Sequence, residues 1–248
     1  MNATALPLLA FDTSTDQLSV AVQRADGRRW QHSGAGGAQA SATLIPTVQR
    51  LLADAGLALP ALAAIVFGRG PGSFTGLRTA CSVAQGLAWG AGVPVLPMDT
   101  LMAVAEAARL QRGGASRVLA LLDARMGEVY AAGYACTPAG HWQALGPAHV
   151  CPPEQLADWP ELAAVAPGTV VAGNAFAAYA DRLPTALRDL PQVPALPTAE
   201  ALLDLAPALL AAGGALPPEQ ALPLYIRDKV AQTTAERAAA KAAPGAAG

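Results

Sequence analysis

Residues 8–22, LLAFDTSTDQLSVAV, decide the fold because residues 119–134, LALLDARMGEVYAAGY, follow the same plan more than a hundred positions later. Each is an apolar run ending in an aspartate, Asp12 or Asp123, then a short polar turn, then a second run alternating small and apolar residues. The echo predicts two lobes of related design, although two β-hairpins also share this pattern without any duplication. Working outward, a third strand is expected around 28–33 after the Asp26-Gly27 turn. Leu44, Ile45, Val48, Leu51, Leu52 and Ala55 fall at helical spacing, with Pro46 in the first turn and Gly56 as the stop. A strand over 62–68, a helix from the Ser73 cap to about Ala91, a strand over 94–99, a helix of about twelve residues capped by Thr100 and a strand over 117–123 complete an α/β alternation. The expected division is a first lobe over 1–104, a second over 105–228 with a late helix returning to the first, and a flexible tail over 229–248.

Composition narrows the function classes. The 248 residues are 53% hydrophobic and 14% charged, enough for a sizeable core, and much of the apolar content is alanine. Every long apolar stretch is interrupted well short of the ~20 residues a membrane span needs, and the first residues lack a basic leader, so a cytoplasmic protein is expected. The formal net charge is −2, and the only lysines are Lys229 and Lys241, a poor basis for strong nucleic-acid binding by this chain alone. Three widely spaced cysteines, Cys81, Cys136 and Cys151, support neither a disulfide framework nor a zinc ribbon and read as buried small apolar residues. His32, His141 and His149 form no pair at metal-ligand spacing, and no nucleophile elbow occurs.

The stretch GRGPGSFTGLR at 68–78 is the densest candidate site. It is not a P-loop, because Ser73 or Thr75 stands where the second glycine is required and no lysine follows. The dinucleotide pattern fails at the same two places. Gly70, Gly72, Ser73, Thr75 and Gly76 can still hold an anion through backbone amides at a helix start, or simply make a tight strand-to-helix turn. Asp12, Thr13 and Ser14 can likewise surround a phosphate or Mg²⁺, or form an ordinary hairpin turn. The echo at Asp123 has Ala124 and Arg125 where hydroxyls would be needed. On the following helix Arg78, Ser82, Gln85 and Trp89 make a second stripe, suited either to an interface or, for Trp89, to folding back on the core.

Five segments, LLAFDTSTDQLSVAV, AIVFGRGPGSFTGLR, GLAWGAGVPVLPMDTLMAVAEAA, LDARMGEVYAAGY and PLYIRD, resemble the bacterial TsaB family, in order over about residues 7–230. The resemblance implies a two-lobed actin-like ATPase fold and a non-catalytic subunit that pairs with the transferase TsaD. With the ATPase TsaE, that complex places a threonylcarbamoyl group on the adenosine beside the anticodon of tRNAs reading ANN codons. It further implies partner contact through the first two helices of lobe one, here Leu44, Ile45, Val48 and Leu51 with Arg78, Ser82, Gln85 and Trp89. A homodimer is implied when the chain is alone, tRNA contact only through the complex, no membrane, and ATP or ADP with Mg²⁺ in the complex rather than held by this chain. Ala40 stands where many relatives carry a histidine, so no role resting on that imidazole carries over. The alternative reading is an actin-like enzyme that binds and hydrolyses ATP on its own through Asp12 and the glycine loop.

Overall fold

The structure, a computed structural model, describes residues 5–163 and 165–227; the tail expected over 229–248 lies outside them. In chain order, lobe one contributes β1 (Leu8–Asp12), β2 (Gln17–Gln23), β3 (Arg29–Ala35), α1 (Ala40–Ala55), β4 (Ala64–Gly70), α2 (Phe74–Ala91), β5 (Val95–Asp99) and α3 (Thr100–Arg112). Lobe two follows with β6 (Arg117–Arg125), β7 (Glu128–Cys136), β8 (Trp142–Ala144), β9 (His149–Cys151), α4 (Pro160–Ala163), β10 (Thr169–Gly173), α5 (Ala175–Ala178), α6 (Thr185–Arg188), β11 (Gln192–Pro194) and α7 (Ala199–Ala211). The first sheet has the order β3-β2-β1-β4-β5 and the second β11-β10-β6-β7-β8, with β9 also on β7. In both, an antiparallel hairpin leads and the next two strands run parallel to its first member. The echoed segments are these two leading hairpins, so the lobes share one topology and the fold is the two-lobed actin-like type.

Period-2 alternation sets the layers. Leu9 and Phe11 of β1 and Ile65 and Phe67 of β4 point outward to α1 and α2, whereas Leu8, Ala10, Ala64 and Val66 point inward. On the second sheet Leu119, Leu121 and Val171 point outward, and Val118, Ala120, Leu122 and Ala172 inward. Between the two inner faces lie α3 and α7. The small inner residues let helix backbones approach the sheets closely, while each fully buried Phe or Leu contributes about 1.5–3 kcal/mol. α3 runs unbroken across residues 104 and 105 and packs on β6 and β7, and α7 packs back on β1, β2 and β4. Ser19 Oγ accepts the Ala199 N–H at 2.8 Å and Arg29 meets Asp204 at 2.6 Å, fixing α7 to the first sheet.

Several local expectations need correction. α1 starts at Ala40, so Pro46 sits in its second turn; the carbonyl left without a donor there belongs to Ala42, which is exposed and open to water. Gly56 and Gly92 close α1 and α2 at φ 62° and 68°, as glycines in the left-handed region do. Gly68 ends its strand as expected, but Gly70 is strand too rather than loop: both pair with β5, and the turn is Pro71–Ser73. Ser73 occupies the N-cap position of α2 without a side-chain bond. Thr100 is the first residue of α3 rather than its cap, and its hydroxyl accepts the Gly70 N–H at 3.1 Å. Of the cysteines only Cys81 is buried, because Cys136 and Cys151 sit at the half-covered margin of the second sheet.

Candidate functional site

The end of β1 and the start of α2 are locked together by very close backbone approach. The Thr13 hydroxyl donates to the Gly76 carbonyl at 2.7 Å, and the Ser73 N–H donates to the Ser14 carbonyl at 2.7 Å. A Cβ on Gly76 would lie 1.9 Å from the Thr13 oxygen, and one on Gly72 would lie 2.6 Å from that of Ser14. Asp12 is turned inward: it is 0% exposed, and its carboxylate fills the space where a side chain on Gly68 would be. Oδ1 accepts the Ser14 N–H at 2.8 Å and the Ser14 hydroxyl at 2.6 Å, while Oδ2 has no partner among the described residues. Burial outweighs those two bonds and pushes the carboxyl up to about pKa 6. The hydroxyls and carboxylate of the first turn are therefore spent on holding the loop.

Between the lobes opens a cleft of about 280 Å³. Of the eight anion-site residues expected from the sequence, Ser14, Gly72 and Ser73 line it. Asp12, Thr13, Gly70 and Gly76 are buried behind it, and Thr75 is exposed on α2 away from it. The carboxylates that do line the cleft, Asp16 and Asp123, are both engaged by Arg125, with Asp123 Oδ2 at 3.1 Å from the guanidinium. Asp123 Oδ1 also accepts the Tyr179 hydroxyl at 2.7 Å. In this arrangement the β1 aspartate faces the core, and Arg125 pairs with both acids that line the cleft. Among the described residues no group of three or more His, Cys, Asp or Glu is placed to hold a metal ion.

The chain segment Ala221–Arg227 lies as a strap across the mouth of this cleft. Ala221 O accepts from Gln85 Nε2 at 2.9 Å and from Cys81 Sγ at 3.1 Å, and the Leu224 N–H donates to Arg69 O at 2.7 Å. The Tyr225 ring lies 5.1 Å from that of Phe74, whose other neighbour is the Arg78 guanidinium at 4.0 Å; Arg78 Nε donates to the Tyr225 hydroxyl at 3.2 Å. Arg227 then reaches lobe two, donating to Ala124 O at 3.0 Å and Glu128 at 2.6 Å. Sequence reasoning met PLYIRD only as part of a resemblance. Its one local signal was an aromatic and an arginine at the end of a proline-rich stretch lacking any periodicity.

The outer face of lobe one divides the expected interface. Leu44, Val48 and Leu51 are buried in the lobe's own core, because the most regular apolar stripe of a helix covers its own sheet first. Ile45, off that stripe, is exposed. On α2, Arg78 and Ser82 are exposed, Gln85 is half-buried under the strap and Trp89 is 67% exposed, so Trp89 does not fold back on the core. Leu222 and Tyr225 of the strap are exposed beside α2. No helix among the described residues is long and apolar enough to cross a membrane.

Comparison with known proteins gives the same fold and a single family. Residues 37–233 match the family described as TsaD: tRNA N6-adenosine threonylcarbamoyltransferase. The tRNA threonylcarbamoyladenosine biosynthesis protein TsaB of Escherichia coli is 37% identical over 90% of this chain and 96% of its own length. The TsaB of Haemophilus influenzae is 44% identical over 50% of this chain and 52% of its own. The solved structure of YeaZ from Pseudomonas aeruginosa superposes with a TM-score of 0.80 at 41% identity, covering 89% of this chain and all of that one.

Proposed function

Because the chain belongs to the TsaB family, we propose that it serves tRNA threonylcarbamoyladenosine synthesis as a non-catalytic subunit, docking a TsaD-type transferase on the outer face of α1 and α2. One observation carries this reading. Of the nine large apolar side chains exposed among the described residues, Ile45, Phe74, Trp89, Leu222 and Tyr225 lie on α1, α2 or the strap laid along α2. Scattered exposed apolar residues are normal, but a concentration on one pair of packed helices with aromatics and Arg78 is the composition of an interface. The cleft supports the same reading, since its acids are held by Arg125 and its β1 aspartate faces inward.

The test is titration of a purified TsaD-type transferase with wild-type protein and with an Ile45→Ser/Trp89→Ser variant, followed by calorimetry. The variant should bind at least about tenfold more weakly, ~1.4 kcal/mol, because exposed anchors at the centre of an interface carry most of its energy. Met126→Ser, an exposed apolar residue on lobe two, serves as the control and should bind like wild type. Equal affinity for all three proteins would refute docking on this face.

A further inference from the structure

The two lobes are joined in two chemically different ways. At the base, α3 and α7 lie between the sheets in one continuous apolar core that includes Leu8, Val66, Leu101, Val104, Val118, Leu122, Leu202 and Leu205. At the mouth the hydrogen bonds and ion pairs are polar and several are exposed, and the apolar contact at the crossing segment's end is the half-buried Ile226 against the core. Arg125 pairs with Asp16, 66% and 79% exposed; Arg227 pairs with Glu128; and the Tyr130 hydroxyl donates to Gly72 O at only 3.4 Å. Exposed ion pairs contribute little to stability, whereas a continuous apolar core does not open without global unfolding.

We propose that Ala221–Arg227 is a reversible latch that sets the opening of the interlobe cleft, with the α3–α7 base as its fixed hinge. The segment has the required construction. It adopts no helix or strand of its own, its first half is anchored to lobe one through Ala221 and Leu224, and its last residue grips lobe two through Ala124 and Glu128. Gly70, at φ 122°, is the passage point: a Cβ there would lie 2.5 Å from the Leu224 oxygen, so the end of β4 is shaped to let the strap cross against its backbone. The Arg78–Phe74–Tyr225 stack faces outward, so a protein resting on α2 also touches the latch. The latch itself does not depend on the identity of that protein.

Hydrogen exchange of the full chain tests the proposal without any partner. In Tyr225→Ala/Arg227→Ala, amides of the two hairpin turns, 12–17 and 122–128, should exchange at least about tenfold faster, while amides inside β4 and β10 keep wild-type rates, as expected for local opening. Exchange unchanged in the turns would overturn the latch, and an equal rise throughout the protein would overturn it too, showing the strap to be part of the global core. The wild-type chain gives a second reading that needs no substitution. In about 1 M salt, where the screening length falls to about 3 Å, the same turns should exchange faster with the sheets unmoved; no selective change would count against the proposal.

Discussion

The two lobes share one sheet order and carry opposite outer layers. Lobe one covers its sheet with α1 of 16 residues and α2 of 18, whereas lobe two uses α4, α5 and α6, of four residues each. A sheet is constrained by its hydrogen-bond ladder and by the inner face it shares with α3 and α7, so both copies keep one strand order. The outer layer has only to cover apolar side chains, and Leu156, Trp159, Leu162, Leu183 and Leu187 do this for lobe two from single turns and loops. A single turn has no second face to present. Helices of four or five turns do, and the exposed Ile45, Phe74 and Trp89 stand on that second face. The difference teaches that a second, solvent-facing surface, the one proposed for docking, belongs to the outer layer and not to the duplicated scaffold.

The largest expected effects test whether both lobes rest on equally close backbone contacts. A Cβ on Gly76 would lie 1.9 Å from Thr13 O, and one on Gly173, already at φ 135°, would lie 1.8 Å from Leu121 O. Neither neighbour is a flexible side chain, so Gly76→Ala and Gly173→Ala should each destabilise by about 3 kcal/mol or more in urea unfolding. The comparison sharpens if the stably folded fraction of Gly76→Ala, whose α2 must shift, binds the transferase more weakly while that of Gly173→Ala binds normally. A loss below about 0.5 kcal/mol in either protein would break the equivalence of the two contacts.

The paired aspartates come next. Asp12 is buried with one oxygen unpartnered among the described residues, whereas Asp123 lines the cleft beside Arg125 and Tyr179. Because burial raises the folded pKa of Asp12 from its ordinary 3.8 to about 6, its contribution to stability is fully present below the lower value and is lost as pH rises through the upper one. Above that range the buried charge costs at most about 3 kcal/mol, at ~1.4 kcal/mol per pKa unit. Asp12→Asn keeps an oxygen for Ser14 and removes the titration. Its stability relative to wild type should therefore rise between about pH 4 and about pH 7.5 in urea unfolding, and a pH-independent gap would show that Asp12 titrates normally.

How much of this was legible in the sequence differs along the chain for physical reasons. The strand-end aspartates exposed the duplication because Leu8–Asp12 and Val118–Asp123 are continuous apolar runs, buried on both faces, that each stop at the acid. Gly56 and Gly92 were readable as helix ends because few other residues tolerate that conformation. The direction of the α1 stripe was not readable: Leu44, Val48 and Leu51 look identical whether they meet their own sheet or a partner, and only the position of that sheet decides. Gly70 read as part of a ligand loop because the demand for its missing side chain comes from Leu224 and Leu77, of which Leu224 is remote in sequence. The strap carried least signal of all. Its bonds are single backbone and side-chain contacts to α2, β4 and β7, and no spacing rule encodes those.

The smallest effect bears on the seam between the lobes. Arg125 is shared between Asp123 of its own hairpin and Asp16 of the other, and with Asp16 it is well exposed. A double-mutant cycle on Asp16→Asn and Arg125→Gln should give a coupling of only about 0.5 kcal/mol in urea unfolding, falling further as salt is added. Removing Arg125 also frees Asp123, so the single Arg125→Gln change should cost more than the single Asp16→Asn change, and that inequality separates the within-lobe contact from the between-lobe one. A coupling of several kcal/mol would mean that the mouth of the cleft is held as firmly as its apolar base. The lobes would then act as one rigid body, and the contrast between a duplicated scaffold and a separately adapted surface would have to be drawn through the seam as well.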